Sequence, residues 1–513
     1  MKEWIKKNQK VLIFILYSII SIALICFHEN WRDEAQAWLI ARDCNIIELI
    51  GMMKYEGHFI LWYLILMPFA KLGFPYFTIN IISWIFTIAA VWLILDKAPF
   101  KFYKRVLLIF TFPLIYLFPV LSRCYCLIPL AICSMSIFYK DRKEKPFRYI
   151  LSVILLANTH IIMMGMVGVV LIDFFIESCK EFKNISHKDK KKRIYSLIIT
   201  IVLLIITILP LVGCLGANKD IGNNNSFINK IVLAVFCYPF ILLMEIFNYF
   251  MSNIFMISLA FILTCIVLFY EIKNHPIIYL KIFLCTMWQC IIYSFIFSSS
   301  LQRASTIIFI LLYYKWINTY KNNNKIKEKK IQNNQMIQNI QEISWIVLAI
   351  LNILVGVLYV SIYEIPFKCS YSYEIGNYIN DNLNDKSIIL NGSRGEYTSS
   401  IIPHIKKDIR FYQITGNRYF SYAILDEKNK SDLDYSDFQN LSSAFDNEQE
   451  LYYIYCNDKS DVGNKAIEYK EKEIIEMLID KGVLKELYFT EDKSLYKENY
   501  ILYEVNLDKI SLY

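Results

Sequence analysis

A run of seventeen residues at positions 11–27, VLIFILYSIISIALICF, carries no charge and only two serines. As a helix, such a stretch approaches the length that crosses a hydrocarbon core. In lipid, a helix satisfies its own backbone polar groups within one continuous segment. Comparable blocks recur at 253–270 and 343–362, and 56% of the 513 residues are apolar. A soluble chain of this length would instead interleave polar surface among several domains. The pattern predicts a polytopic α-helical membrane protein, with the bilayer as one of its partners.

The net charge of +8 sits in short loops between the apolar blocks, so no nucleic-acid partner is expected. Lys and Arg in short loops mark the cytoplasmic side. Lys2, Lys6, Lys7 and Lys10 place the N-terminus inside. Inner loops are expected around Lys97–Arg105, Lys140–Arg148, Lys180–Arg193, Lys273–Lys281 and Lys321–Lys330. The loop Lys180–Arg193 is the strongest marker, with seven Lys/Arg against two acids. The turns at Ser122-Arg123, His160, Cys214–Lys230 and Ser298–Arg303 then face outside, and a last helix near 343–362 exports everything after Tyr363. Residues 58–72 and 76–95 disturb the alternation, because two crossings cannot join opposite sides. The stretch 58–72, interrupted by Pro68 and Lys71, is read as juxtamembrane or half-inserted, and 229–250 poses a similar question. The expected total is about 10–12 membrane helices in a cell-membrane, multi-pass protein.

The first apolar run ends in Cys26-Phe27-His28-Glu29 with no small-residue cleavage site, as in a retained signal anchor. Most of the thirteen cysteines lie inside apolar segments, leaving Cys369 and Cys456 as the one pair open to a bridge in the tail. Residues 363–513 read as a small extracytoplasmic soluble α/β domain. Helices are expected at Ser372–Leu383 and Lys465–Lys481, strands at Ser387–Leu390, Leu451–Tyr455 and Tyr500–Val505, and turns at Asn391-Gly392 and Thr415-Gly416. Tyr412, Tyr419, Phe420 and Tyr422 suit either a core or a sugar-stacking surface, the core being the simpler reading.

The first outer loop, residues 28–57, holds six acids and three bases, unlike the inner loops. Trp31 and Trp38 are seven apart, which predicts an amphipathic helix on the membrane surface with Asp33 and Glu34 at its start. Acids there complement the helix dipole and tryptophans anchor at interfaces. The chemical reading is that Asp33 is a general base, taking a proton from a hydroxyl as its oxygen attacks a sugar carbon. A lipid phosphate would leave without protonation, its charge met by fixed cations. Arg123, within Leu121–Leu127, and Arg303, closing Ser298–Arg303, are candidates among apolar neighbours. Arginine is costly near hydrocarbon, and its planar fork suits phosphate; a snorkelling interfacial arginine is the other reading of each. His58 and His160 complete the outer-face polar set, either as binding groups or as structural hydrogen-bonding histidines.

In this order the elements resemble the GT-C glycosyltransferases, in the branch with protein O-mannosyltransferases and lipid A aminoarabinose transferases. That family's acidic first-loop motif is matched by Asp33-Glu34. Its His-Pro-Pro-Leu-Tyr-Tyr-like element is matched by His58-Phe59-Ile60-Leu61-Trp62-Tyr63, without the prolines. Ser122–Leu127 loosely matches an Ala-Arg-Asn-Tyr-Ala-Leu-like element, and Ala157-Asn158-Thr159-His160 is intact. Where the family has an Arg-His-x-Gly-like element, this chain has Arg303-Ala304-Ser305-Thr306.

The resemblance implies a GT-C-like transmembrane catalytic domain over 1–362. It also implies inverting transfer of a sugar from a polyprenyl-phosphate donor to a hydroxyl of an envelope glycan, lipid or protein. Asp33 and Glu34 would be catalytic, and Arg32, His58, Arg123, Tyr125, His160 and Arg303 would bind substrate. No cofactor is expected and no metal ligand is assigned, with a divalent ion left open. The competing reading is a polytopic transporter or lipid-linked glycan flippase, which calls for internal repeats and broken midplane helices. A glycan ligase or polymerase, with its main outer loop late in the chain, and a glycan-binding tail on a membrane anchor are further alternatives. The early acidic loop argues against the ligase, and ten-odd helices against a mere anchor.

Overall fold

The computed structural model describes residues 2–182, 186–211, 226–239, 241–242, 254–325, 335–392, 394–426, 429, 431–446, 448–457, 465–490 and 494–510. Residues 214–225 of the expected turn at Cys214–Lys230 lie outside this set, as do 243–250 and 326–330. Of the described residues, 2–26, 80–211 and 226–361 form one compact unit, while 27–79 and 362–510 form another.

The first unit is helical. Among the described residues, six helices are long and apolar enough to cross a membrane: Lys7–Phe27, Thr78–Lys97, Ile161–Glu181, His187–Leu211, Pro276–Phe295 and Glu342–Glu364. Shorter apolar helices include Cys124–Phe138, Pro146–Ala157 and Phe227–Cys237. Two further helices run over Ile254–Asn274 and Ile307–Lys325. In the helix His187–Ile208, Ile198, Ile201, Val202 and Ile205 are exposed, as side chains facing lipid are. The chain is a multi-pass α-helical membrane protein.

Ion pairs group the loops of this unit as the charge alternation does. Lys10 pairs with Asp96 at 3.0 Å, and Lys101 and Lys104 pair with Glu342 at 2.9 and 3.0 Å. Arg142 meets Glu177 at 2.6 Å, and Arg193 and Lys143 share Glu181.

The second unit joins the first outer loop to the tail. We label its leading helices α1 (Arg32–Asp43), α2 (Ile46–Glu56) and α3 (Leu61–Lys71). Asn45 caps α2 through its side-chain oxygen, which accepts from the amides of Ile47 and Glu48 at 2.9 and 3.0 Å. Gly57 then stops α2 in the left-handed region at φ 69°, where a side chain would be strained. With eleven residues, α3 is about 17 Å long, shorter than the span a bilayer requires.

The tail carries a six-stranded sheet in the order β3-β2-β1-β4-β6-β5. The strands are β1 (Ile388–Asn391), β2 (Arg410–Gln413), β3 (Arg418–Phe420), β4 (Leu451–Cys456), β5 (Leu484–Phe489) and β6 (Tyr500–Val505). The central β2, β1 and β4 are parallel, and antiparallel strands flank them. Both faces of the sheet are covered, as parallel strands require. Ile388, Leu390 and Tyr453 pack with Ile474, Ile475 and Leu478 of the helix Lys465–Asp480. On the other face Ile389, Phe411 and Ile454 pack with Ile375 and Ile379, and with Leu39 from α1.

Two expectations are corrected here. Helix α1 is not laid on a membrane surface. Its residues 34–41 are all buried, and it packs against α3 and against the short helix Glu396–Ser399. Apolar residues such as Leu39 serve the tail's core, so periodicity alone could not tell lipid from protein as their cover. Cys369 and Cys456 do not bridge. Both are buried free thiols, and Cys456 faces the Lys497 carbonyl at 3.5 Å.

Candidate functional site

The site residues read from the sequence fall into two groups, one in each unit. In the helical unit, Arg123, Tyr125, His160 and Arg303 converge although they come from three separate turns. Arg123 precedes the short 3-10 turn Cys124–Cys126, with its guanidinium 5.5 Å from the Tyr125 ring centre. Tyr125 is fully buried, and its hydroxyl accepts from Arg303 Nε at 3.2 Å. The His160 ring stacks on Tyr125 with centres 4.8 Å apart, and its edge meets Phe297. Arg303 lies 4.3 Å from the Phe297 ring centre and donates to the Ser298 carbonyl at 2.7 Å.

Local sequence explains the placement. Thr159 returns its hydroxyl to the Leu156 carbonyl at 2.7 Å, and Asn158 donates to Thr207 at 2.9 Å, so the helix Pro146–Ala157 ends there. His160 accepts the Ile162 amide through Nδ1 at 3.3 Å and opens the next turn. Trp288 donates to the Ile161 carbonyl at 2.8 Å. Two half-buried guanidinium groups on a shared aromatic wall make a site suited to a phosphate group.

The tail-bearing unit holds Arg32, Asp33, Glu34 and His58. Asp33 is half-buried at the first turn of α1. The Arg32 guanidinium stands 4.4 Å from the Tyr397 ring centre, and its amide donates to Glu498 Oε1 at 2.9 Å. Trp31 stacks on Tyr496 with centres 4.1 Å apart. Glu498 is fully buried, and burial raises its carboxyl to about 7 against the opposing pull of Arg32 and Ser370.

Glu34 has a different environment. It is fully buried, and Oε2 accepts from the Trp31 amide at 3.1 Å and bonds His28 Nε2 at 2.9 Å. His28 Nδ1 lies 2.9 Å from Glu364 Oε1, and Cys369 Sγ lies 3.1 Å from Glu364 Oε2. Burial disfavours the imidazolium of His28, while Glu34 and Cys369 favour it, and its pKa rises on balance. Burial pushes the Cys369 thiol up.

His58 follows the Gly57 cap, half-buried, at the start of the segment leading into α3. Beside it, Glu56 accepts from Tyr63 at 3.1 Å and from Gln36 at 2.8 Å. Gln36 also clamps the backbone of Ala423, donating to its carbonyl at 2.6 Å and accepting its amide at 3.0 Å. Sequence reading missed Gln36, Glu56, Glu364, Cys369, Tyr397 and Glu498. The first two lie in the first outer loop, which the acid count had already set apart. The others lie hundreds of positions from the first-loop residues that they meet.

No protein-family model matches the sequence, and no curated protein matches it. Among solved structures, the chain is similar to the crystal structure of ArnT from Cupriavidus metallidurans bound to undecaprenyl phosphate. The TM-score is 0.50 at 10% sequence identity, over 97% of this chain and 98% of that one. The fold is GT-C-like. A GT-C-like fold over nearly the whole chain takes in both the helical unit and the tail.

Proposed function

We propose that this chain is a membrane glycosyltransferase that moves a sugar, with inversion, from a polyprenyl-phosphate donor to a hydroxyl acceptor on the outer face. The observation that carries the reading is the convergence of Arg123 and Arg303 on Tyr125 and His160 within a GT-C-like fold. The undecaprenyl phosphate bound to ArnT supports a donor of that class. Asp33 takes the acceptor's proton as the hydroxyl oxygen bonds to the anomeric carbon. The bond from that carbon to the phosphate oxygen breaks, and the polyprenyl phosphate leaves with the electron pair. Arg123 and Arg303 hold the phosphate and offset its charge. Glu34 does not share the proton transfer. It positions the start of α1 through Trp31 and His28.

The test is transfer from a radiolabelled polyprenyl-phosphate sugar in membranes holding the full chain. Asp33→Asn should fold normally and lose about 100- to 10,000-fold in turnover, the range for a positioned base. Arg303→Ala should mainly raise the donor concentration needed for half-maximal rate. Full turnover by Asp33→Asn would remove the base assignment. Donor movement across the bilayer without transfer would return the flippase reading.

A further inference from the structure

The cluster of His28, Glu34, Glu364 and Cys369 has no part in the transfer chemistry, and its donor set has a use of its own. One ligand atom from each of His28, Glu364 and Cys369 lies within 4.8 Å of the others, and all three residues are buried. The side chains of His28, Glu34 and Glu364 have no solvent exposure. Cys369 Sγ stands 3.5 Å from His28 Nδ1 and 3.1 Å from Glu364 Oε2.

We propose that His28, Glu364 and Cys369 bind a zinc ion. Tetrahedral zinc with Zn–S near 2.3 Å and Zn–N near 2.0 Å sets its sulfur and nitrogen ligands about 3.5 Å apart, which is the Cys369–His28 separation. The two contacts to Glu364, at 2.9 and 3.1 Å, open by a few tenths of an ångström to admit the ion. A thiolate, an imidazole and a carboxylate form the mixed donor set that borderline-soft zinc accepts, whereas calcium and magnesium prefer oxygen.

The orientation of His28 supports the assignment further. Its Nδ1 faces the thiol and Glu364, while Nε2 is held by Glu34 at 2.9 Å. A carboxylate on the far ring nitrogen of a ligating histidine fixes its tautomer and strengthens it as a ligand. On binding, the thiol proton of Cys369 and any proton on Nδ1 pass to solvent, and water fills the fourth position. The ion is structural. It clasps the segment leaving the first span to the segment beginning the tail, and Glu34 is thereby seated.

The experiment uses the full chain in detergent, stripped by chelator and then given zinc or cobalt alone. Wild type should retain about one zinc per chain on metal analysis. With cobalt it should show the intense near-ultraviolet band of a thiolate ligand. Cys369→Ser should lose that band and bind zinc at least tenfold more weakly. Glu34→Gln should keep the band but bind about 10- to 100-fold more weakly, the usual effect of removing a histidine's carboxylate partner. If wild type takes up no zinc or shows no thiolate band, the cluster is a hydrogen-bonded one and the proposal fails. The wild-type spectrum decides this even if a variant does not fold. Unchanged zinc binding by a folded Cys369→Ser would equally overturn it.

Discussion

Asp33 and Glu34 differ by one methylene and one position, yet their surroundings divide them. Asp33 is half-buried, while Glu34 is committed to His28 and the Trp31 amide. The sequence showed two adjacent acids just past a membrane span. It did not show which was accessible, because Glu364 lies 336 positions from His28, and Glu498 lies 466 from Arg32. Glu498 gives the clearest test at this scale. Its carboxyl is raised to about 7 by burial, so the folded state binds a proton that the unfolded state, with an ordinary carboxyl near 4.5, has released. That stability is fully present below the unfolded value and is lost as pH rises through the folded one. The loss should be about 3 kcal/mol between pH 4.5 and 7. Thermal melts should therefore fall with pH for wild type and stay flatter for Glu498→Gln. Parallel slopes for the two proteins would show that Glu498 is not buried as described.

Among the elements, those with strong local signals match the sequence reading closely. The strand expected at Tyr500–Val505 has those bounds, and the helix expected at Lys465–Lys481 runs over Lys465–Asp480. Strands β2, β3 and β5 were not anticipated. Strands β2 and β3 are only four and three residues long and open on Arg410 and Arg418, and β5 carries Lys485 and Glu486 side by side. Their pairing partners, rather than their own propensities, settle their conformation. The arginine cluster depends on helix packing in the same way. A Cβ at Gly165 would come within 2.3 Å of Trp288 Cβ, on the residue whose indole holds the Ile161 carbonyl beside His160. Gly165→Ala should cost about 1–3 kcal/mol of stability, measurable as a lower melting temperature in detergent. It should also displace His160. An unperturbed melting temperature would mean that this crossing is looser than described.

Across the whole molecule, the membrane class and the grouping of loops were legible because span length and Lys/Arg bias act locally along the chain. The union of the first outer loop with the tail was not legible, since nothing between 57 and 362 announces it. Ending the chain after Tyr363 should strip α1 of Tyr397, Ala423, Tyr496 and Glu498 together. Limited proteolysis should then cut within 28–57, where the full chain resists. Equal resistance in the shortened protein would show that the loop holds its shape unaided.

The shared core of Leu39 with Ile375, Ile389 and Ile454 also imposes an order of events during synthesis. The segment holding Asp33 emerges early and waits for more than three hundred further residues before its scaffold exists. Until the tail is made, α1 has α3 to settle against but not the tail's core. A product broken off between Arg303 and the tail would carry every residue assigned to the reaction and still leave α1 without that core.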